Sequence, residues 1–400
     1  MNRYRFCKWS RRLVLLGWLL PPLATASSLF GDENLQIHGF LSQGYTHTSA
    51  NSWLGDSSNG SWDFRELGLN ASYRLTPQLQ ISGQLLSLTA GEMQDGSPSL
   101  DYGLLDYNFA NFDNGNLGLR FGRVKTPIGL YNDTRDAAFT RPTNFLPQSI
   151  YFDKVRNLEL SNDGFQIYGD LLTDWGDLLF QGGMGKPVTD ENVEYAYLGN
   201  DWQGELSSDF FFLGRIIYEL DAGRIRLSAT IADGDLDFEP GPTDPFSKGT
   251  VSIQLRVLSF QYNAEAWHFT TEYMQEDVIN RNLGAFRPDD SGGTAEGFYL
   301  QFAHDLFTDW EIIARYDVSY LNRDDRDGTK QEAGPFGIPA HNMFAKDWTL
   351  GLRWDITPAF MVRGEYHWVD GTAWLSAREN NFFQTERHWQ MFSLLASYRF

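Results

Sequence analysis

Apolar and polar residues alternate with a period of two along most of this chain. In Arg224 to Ile231 the apolar residues are Ile225, Leu227, Ala229 and Ile231, and the polar ones fall between them. Trp310, Ile312, Ala314, Tyr316 and Val318 share one face, with Glu311, Arg315, Asp317 and Ser319 on the other. Trp348 to Ile356 and Phe360 to Trp368 repeat the scheme, with Arg353, Asp355, Arg363, Glu365 and His367 on the polar side. Successive side chains of a strand point to opposite faces, so this is the pattern of strands with one greasy and one wet face. Helical periodicity is scarce.

The breaks in the pattern alternate in length. Short ones fall at 76–78, 112–116, 174–177, 221–223, 263–265, 308–309 and 357–359, and long ones at about 50–60, 90–98, 130–160, 188–208, 236–248, 278–294, 323–345 and 375–386. Short turns on one side and long loops on the other mark an antiparallel barrel inserted in one direction. The spans between them predict strands at 34–49, 61–76, 79–90, 99–111, 116–129, 161–174, 177–188, 209–221, 224–236, 249–262, 266–278, 295–308, 310–322, 346–357, 360–374 and 387–400. Sixteen strands is an even number, as barrels of this kind require, and is wide enough for a watery interior. The fold class is therefore all-β, a transmembrane antiparallel barrel. A soluble sandwich also alternates, but has less use for aromatics at both ends of its strands. The chain is 15% aromatic and its mean hydropathy is −0.39.

One long break is unlike the rest. Leu130 to Leu160 mixes Asp133, Arg135, Asp136, Arg141, Asp153, Lys154 and Arg156 with Phe139, Phe145, Ile150, Tyr151 and Phe152. A hairpin loop is usually about 2–5 residues. So many packing residues predict a loop folded into the lumen, anchored by Phe139, Phe145, Tyr151 and Phe152.

The N-terminus supplies the address. Arg3, Arg5, Lys8, Arg11 and Arg12 precede the apolar run Leu13–Leu23 and the small-residue site Ala24-Thr25-Ala26. That is the form of a secretory signal peptide, leaving 27–400 as one barrel domain. Its removal takes five of the 32 Lys+Arg and none of the 52 Asp+Glu, so the formal charge goes from −20 to −25. This sign argues against a nucleic-acid partner. Cys7, the one cysteine, falls in the removed segment, which excludes disulfide, thiolate-metal and thiol-nucleophile chemistry from the domain.

Gly122-Arg123-Val124-Lys125-Thr126-Pro127-Ile128-Gly129-Leu130 resembles the Gly-x-aromatic-Lys-x-Pro-Phe-Gly-Leu pattern leading into the third loop of phosphate-selective-type porins, within the trimeric Gram-negative porin superfamily. Val124 and Ile128 depart from it. The resemblance implies a homotrimer in the cell outer membrane, a third loop folded into the pore and passive diffusion. It does not imply phosphate selectivity, because the charge balance argues otherwise. The alternating last strand ends on Phe400, which resembles the signal read by the barrel assembly machinery.

Alternation assigns charges to the lumen. Arg74, Arg120, Arg215, Arg224, Arg226, Arg256, Arg315, Arg353 and Arg363 are balanced by Glu66, Asp106, Asp170, Glu219, Glu272, Glu311, Asp317, Asp355 and Glu365. Arg215, Arg224, Arg226 and Arg256 are expected to form one basic wall, and Arg315, Arg353 and Arg363 a second. Arg120, Arg123, Lys125, Asp133, Arg135, Asp136, Arg141 and Arg156 are the candidate constriction. These charges either set a transverse field across the pore or pair and stiffen the wall. Residues 117–125 carry a parity conflict. With Leu117, Leu119 and Phe121 outward, Arg123 and Lys125 also face lipid, where a cation at mid-membrane costs ~2–4 kcal/mol. A bulge at Gly122 that turns both inward is the expected resolution; a wall covered by another subunit is the other.

The acidic excess lies in the long loops, as in Asp324-Asp325-Arg326-Asp327, where divalent cations are expected to bridge it to lipopolysaccharide. That stretch lacks the spacing and closing glutamate of a calcium loop. His38, His268 and His367 sit in no nucleophile motif, and no resident metal or cofactor is expected. The reading is a porin passing small hydrophilic solutes and ions. A substrate-specific anion or organic-acid channel is the near alternative. A barrel enzyme or an adhesin acting through its outer loops is the distant one.

Overall fold

The computed structural model describes residues 32–200, 202–285 and 287–400. The signal-peptide reading of residues 1–26 lies outside them. Seventeen strand segments form the wall: β1 Leu35–Thr48, β2 Ser61–Thr76, β3 Leu79–Ala90, β4 Gln94–Phe112, β5 Gly115–Lys125, β6 Ser161–Thr173, β7 Gly176–Pro187, β8 Glu205–Ser208, β9 Phe211–Leu220, β10 Ile225–Glu239, β11 Gly249–Asn263, β12 Trp267–Arg281, β13 Gly292–Phe307, β14 Trp310–Tyr320, β15 Phe344–Thr357, β16 Phe360–Gly371 and β17 His388–Arg399. β8 and β9 are one stave interrupted at Asp209 and Phe210. Both pair with β10, at Leu236↔Ser208 and Asp233↔Phe212. The barrel therefore has sixteen staves. Each is antiparallel to the next, and the ring closes where Gly44 of β1 faces Phe64 of β2 on one side and Leu395 of β17 on the other.

Closure leaves no free sheet edge, which a bilayer demands because it offers no water to unpaired backbone groups. Leu69, Ile81, Leu85, Phe121, Leu258, Trp348 and Leu350 project from the outer wall. Aromatic pairs mark both ends of this band: Trp310–Trp354, stacked at 5.0 Å, near the short turns, and Tyr316–Trp348 at 4.5 Å near the long loops. This is a transmembrane barrel.

Two boundaries differ from expectation in an informative way. β4 starts at Gln94, so the break predicted at 90–98 is a three-residue turn beneath a 19-residue strand. β5 stops at Lys125 rather than 129, because Pro127 has no N–H to offer the ladder.

The parity conflict resolves otherwise than by a bulge at Gly122. Pairing runs unbroken through Leu104↔Gly122↔Gly164. Gly122 takes φ +120°, and a Cβ there would strike the Gly103 carbonyl. Arg123 stays on the outer face with Phe121. It is neutralised by Asp163, at 2.7 Å to both carboxylate oxygens, and donates to the Leu100 carbonyl at 3.1 Å. Only Lys125, at the strand end, turns in. The register shift sits on β4, where Asp101 is the extra residue between Leu85↔Leu100 and Gln84↔Tyr102.

Near the long loops the wall inverts its polarity. On β11 the buried, inward side chains are Val251, Ile253, Leu255 and Val257, and the outward ones are Thr250, Ser252, Gln254 and Arg256. Arg256 is therefore not a lumen residue. It lies outside, bonded to Asp277 of β12 at 2.7 Å. The same polar outer face continues with Asp233, Asp235 and Asp237 of β10. Here the strands have left the bilayer, so water rather than lipid meets the outer face. The apolar inner face packs on Val193, Leu198 and Leu206. The helix Glu191–Leu198 supplies the first two. Its N-cap Asp190 accepts from Val193 N at 3.1 Å, and Gly199 ends it at φ +83°.

Candidate pore constriction

The segment between β5 and β6 is hydrogen-bonded to β2, β9, β12, β14, β16 and β17. Arg141 makes a two-pronged pair with Glu66 of β2, at 2.6 and 2.7 Å. Arg215 of β9 donates to the Gly129 carbonyl at 2.7 Å and to Asp133 at 2.5 Å. Glu272 of β12 accepts from Leu130 N at 3.0 Å and the Tyr151 hydroxyl at 2.6 Å. Asp317 of β14 accepts from Gln148 N at 2.8 Å, and Arg315 donates to the Phe145 carbonyl at 3.1 Å. Glu365 of β16 accepts from Asn144 N at 2.6 Å, while Asn144 donates to Ser393 of β17 at 2.9 Å.

The segment is also stapled to itself. Arg135, 1% exposed, bridges Asp153 and Glu159 at 3.0 Å each. Asp136 is held between Lys125 and Arg156, and Lys125 also reaches Asp101 at 2.5 Å. Burial alone would raise the Asp136 carboxyl. The two cations outweigh it and hold the group below the usual carboxylate range. Asn132 donates to the carbonyls of Thr126 (2.9 Å) and Glu159 (2.7 Å), which pins the two ends of the segment together. Ile150, Tyr151, Phe152 and Val155 pack on the β9–β12 side, and Ala138 and Phe145 on the other. Phe139 is half-buried and packs against the edge of the cluster that holds Ala138 and Phe145. Its ring lies under the guanidinium of Arg399 at 4.2 Å and that of Arg353 at 5.9 Å.

The predicted charges thus separate into groups. Lys125, Asp133, Arg135, Asp136, Arg141, Arg156, Arg215, Arg315 and Arg363 converge at this level. Arg120 lies nearer the short turns, bonded to Asp106 at 3.0 Å and to Gln166 at 3.0 Å. Arg226 is also there, with Glu219 at 2.7 Å, and Arg353 pairs with Asp355 at 2.9 Å. Arg224 is in a turn, exposed beside Asp221 at 2.8 Å, and Arg123 and Arg256 face outward. The basic wall of four arginines is therefore reduced to Arg215 and Arg226. Asp133 touches Arg215 instead of facing it across a gap. Thr143, Asn144 and Gln148 escaped a reading based on charge. Their only signal is that they are uncharged polar residues flanking Phe145 and Leu146 in the stretch 142–149.

Other loops fold over the mouth. Glu379 accepts three backbone N–H groups, Leu54 (3.1 Å), Gly55 (2.8 Å) and Glu92 (3.0 Å). Its neighbour Arg378 donates to Asn192 at 3.0 Å. Lys154 donates to the Ala373 carbonyl at 2.9 Å. Burial lowers its pKa to about 8, against an opposing pull from Glu276.

No family model and no curated protein matches the chain. Solved structures do. OprB of Pseudomonas putida superposes with a TM-score of 0.59 at 10% identity, covering 93% of this chain and 96% of that one. An anion-selective porin from Comamonas acidovorans gives 0.57 at 12%, covering 92% and 99%. OmpT of Vibrio cholerae in its trimer form gives 0.55 at 12%, covering 92% and 99%. At such identities the likeness is one of fold, and the fold is that of the sixteen-strand outer-membrane porins.

Proposed function

We propose that this chain is a porin of the Gram-negative outer membrane, a homotrimer passing small hydrophilic solutes and ions by diffusion. The observation that carries the reading is the segment tethered across the barrel by charged groups from β2, β9, β12, β14 and β16. A sixteen-stave barrel is wide, and such a segment narrows it at a fixed height. Lys125, Asp133, Arg135, Asp136, Arg141 and Arg156 form the constriction, with Arg215, Arg315 and Arg363 on the facing wall. Arg120, Arg226 and Arg353 line the vestibule on the short-turn side. The trimer rests on the Vibrio cholerae relative, described as a trimer. The polar outer face of β10–β12 stands where lipopolysaccharide sugars lie, and barrel assembly through Phe400 belongs to the same reading. No step of catalysis is assigned to it.

Reconstitution in a planar bilayer tests the proposal. Conductance in steps of three, with a nonzero reversal potential in a salt gradient, is expected. Folded protein without conductance would overturn it and favour action through the outer loops.

The reading also predicts a pH effect. Unfolded, Lys154 titrates near 10.5, and in the fold near 8. Between those values the folded state has released a proton that the unfolded state keeps. The residue's contribution to stability therefore rises with pH in that window, and its charging penalty is complete below it. Raising the pH from about 7 to 9 should move the reversal potential toward cation preference. Burial also lifts Glu159 to about 8, so the Lys154→Met channel should respond by clearly less than the wild type; an identical shift in that variant would exclude Lys154 as a source.

A further inference from the structure

On the long-loop side of the constriction the mouth holds a cavity of about 140 Å³, close to the size of an engineered core cavity that takes up benzene. Three loop elements surround it: the helix Glu191–Leu198, residues 321–343 between β14 and β15, and residues 372–382 between β16 and β17. Leu321, Ile338, Met343, Leu375 and Phe382 give it an apolar lining. Lys154, from the segment between β5 and β6, is the one cation among the described lining residues. Ala373, also part of the lining, fixes where its amine sits: Lys154 Nζ donates to the Ala373 carbonyl at 2.9 Å.

That carbonyl is the amine's one hydrogen-bond partner among the described residues, and no carboxylate there pairs with it. Two of its three N–H groups are left over. Glu276, which acts on Lys154 at longer range, is held by the Tyr197 hydroxyl at 2.8 Å. Other polar groups at the cavity are donors too. The Ser376 hydroxyl accepts from Arg378 N at 3.2 Å and has its own proton to give. The Tyr195 hydroxyl has no hydrogen-bond partner among the described residues. Asn342 is already satisfied: its side-chain oxygen accepts from Thr372 and Thr385, and its amide donates to the Phe382 carbonyl at 2.8 Å. An ammonium without a counter-ion, set among donors and apolar carbons, calls for an anion with an apolar body. One negative charge fits and a second does not. Arg378, the next cation, is taken by Asn192 at 3.0 Å and Glu191 at 3.3 Å.

We propose that this cavity is a binding site for monocarboxylates whose apolar body is the size of one aromatic ring. The carboxylate takes the Lys154 amine, and the ring lies against Leu321, Leu375 and Phe382. The proposal rests on the porin reading for its purpose, since it names a class of solute that pauses at the mouth. The binding itself is independent of conduction.

Titration calorimetry of the detergent-solubilised barrel with sodium benzoate tests it, with benzamide and disodium succinate as controls. Saturable binding of benzoate at millimolar concentration is expected, with neither control saturating in that range. Lys154→Met removes the cation, and Ala377→Phe fills the cavity while leaving Lys154 in place. Each should weaken benzoate at least about tenfold, and far-UV circular dichroism reports that each barrel is folded. Conductance in a planar bilayer is recorded separately. Benzoate binding without conductance would leave the site standing and remove the porin reading. Conductance without saturable benzoate binding, an unchanged affinity in either variant, or benzamide binding as tightly as benzoate would overturn the site.

Discussion

Glu66→Ala will free the crossing segment from β2 and destabilise the barrel by about 3–5 kcal/mol, the usual cost of leaving one member of a buried ion pair alone. Glu66 and Arg141 are 1% and 4% exposed, so the guanidinium would be left charged in a buried site without its carboxylate. It would keep only the Arg135 carbonyl, 2.8 Å away. The effect should reach beyond residue 141. Arg141 gives its own carbonyl to Arg363 at 3.0 Å, and three residues on Asn144 holds Glu365 and Ser393. The channel should become larger and noisier, and its urea midpoint should fall. The double variant Glu66→Leu with Arg141→Leu leaves no orphaned charge and should recover most of the loss. If the single and double variants were equally unstable, the cost would lie in lost packing rather than in the unpaired cation.

Gly91→Val should unlatch the mouth. Gly91 sits at φ +54°, where a β-branched residue is strained, and a Cβ would collide with Glu379 Oε1 and the Gly55 backbone nitrogen. The carboxylate of Glu379 must then leave its three N–H groups. Hydrogen bonds to a charged group are worth about 1.5–3 kcal/mol each, so the loop 372–387 loses its main hold on the β1–β2 and β3–β4 turns. Brief trypsin treatment of the intact barrel should cut after Arg378 or Arg387 in the variant and spare the wild type. Equal resistance in both would mean that Arg378 and the contacts of Asn380 hold the loop unaided. Because the β-barrel wall is untouched, the thermal midpoint should move far less than in Glu66→Ala.

Strand positions were legible because a membrane barrel must repeat one rule in every stave, and turns such as Thr76-Pro77-Gln78 interrupt it openly. What alternation cannot give is the sense of the two faces. It reads Arg256 as inward on the assumption that apolar residues always face out. That holds at Leu258, in the lipid, and fails one turn of the pleat higher, where the outer face meets water. Arg123 was misplaced for another reason. Its partner Asp163 is a cross-strand neighbour forty positions away, and nothing local to residues 117–125 reveals it. The crossing segment announced itself by length and aromatic content. Its anchoring pattern did not, since Glu66, Glu272, Asp317 and Glu365 look like any other wet lining until register places them around one loop.

The tethers of that segment have a consequence for assembly. They reach β2 near one end of the chain and β14, β16 and β17 near the other, so seating waits until the cylinder has closed between β1 and β17. Contacts separated by 75 to 249 positions, from Glu66–Arg141 to Asn144–Ser393, form late for reasons of chain entropy. A newly inserted barrel should therefore pass through a stage in which its wall is complete and its bore unobstructed. On the porin reading, the membrane is leakiest during that interval, and the last folding step is the one that restores its sieve.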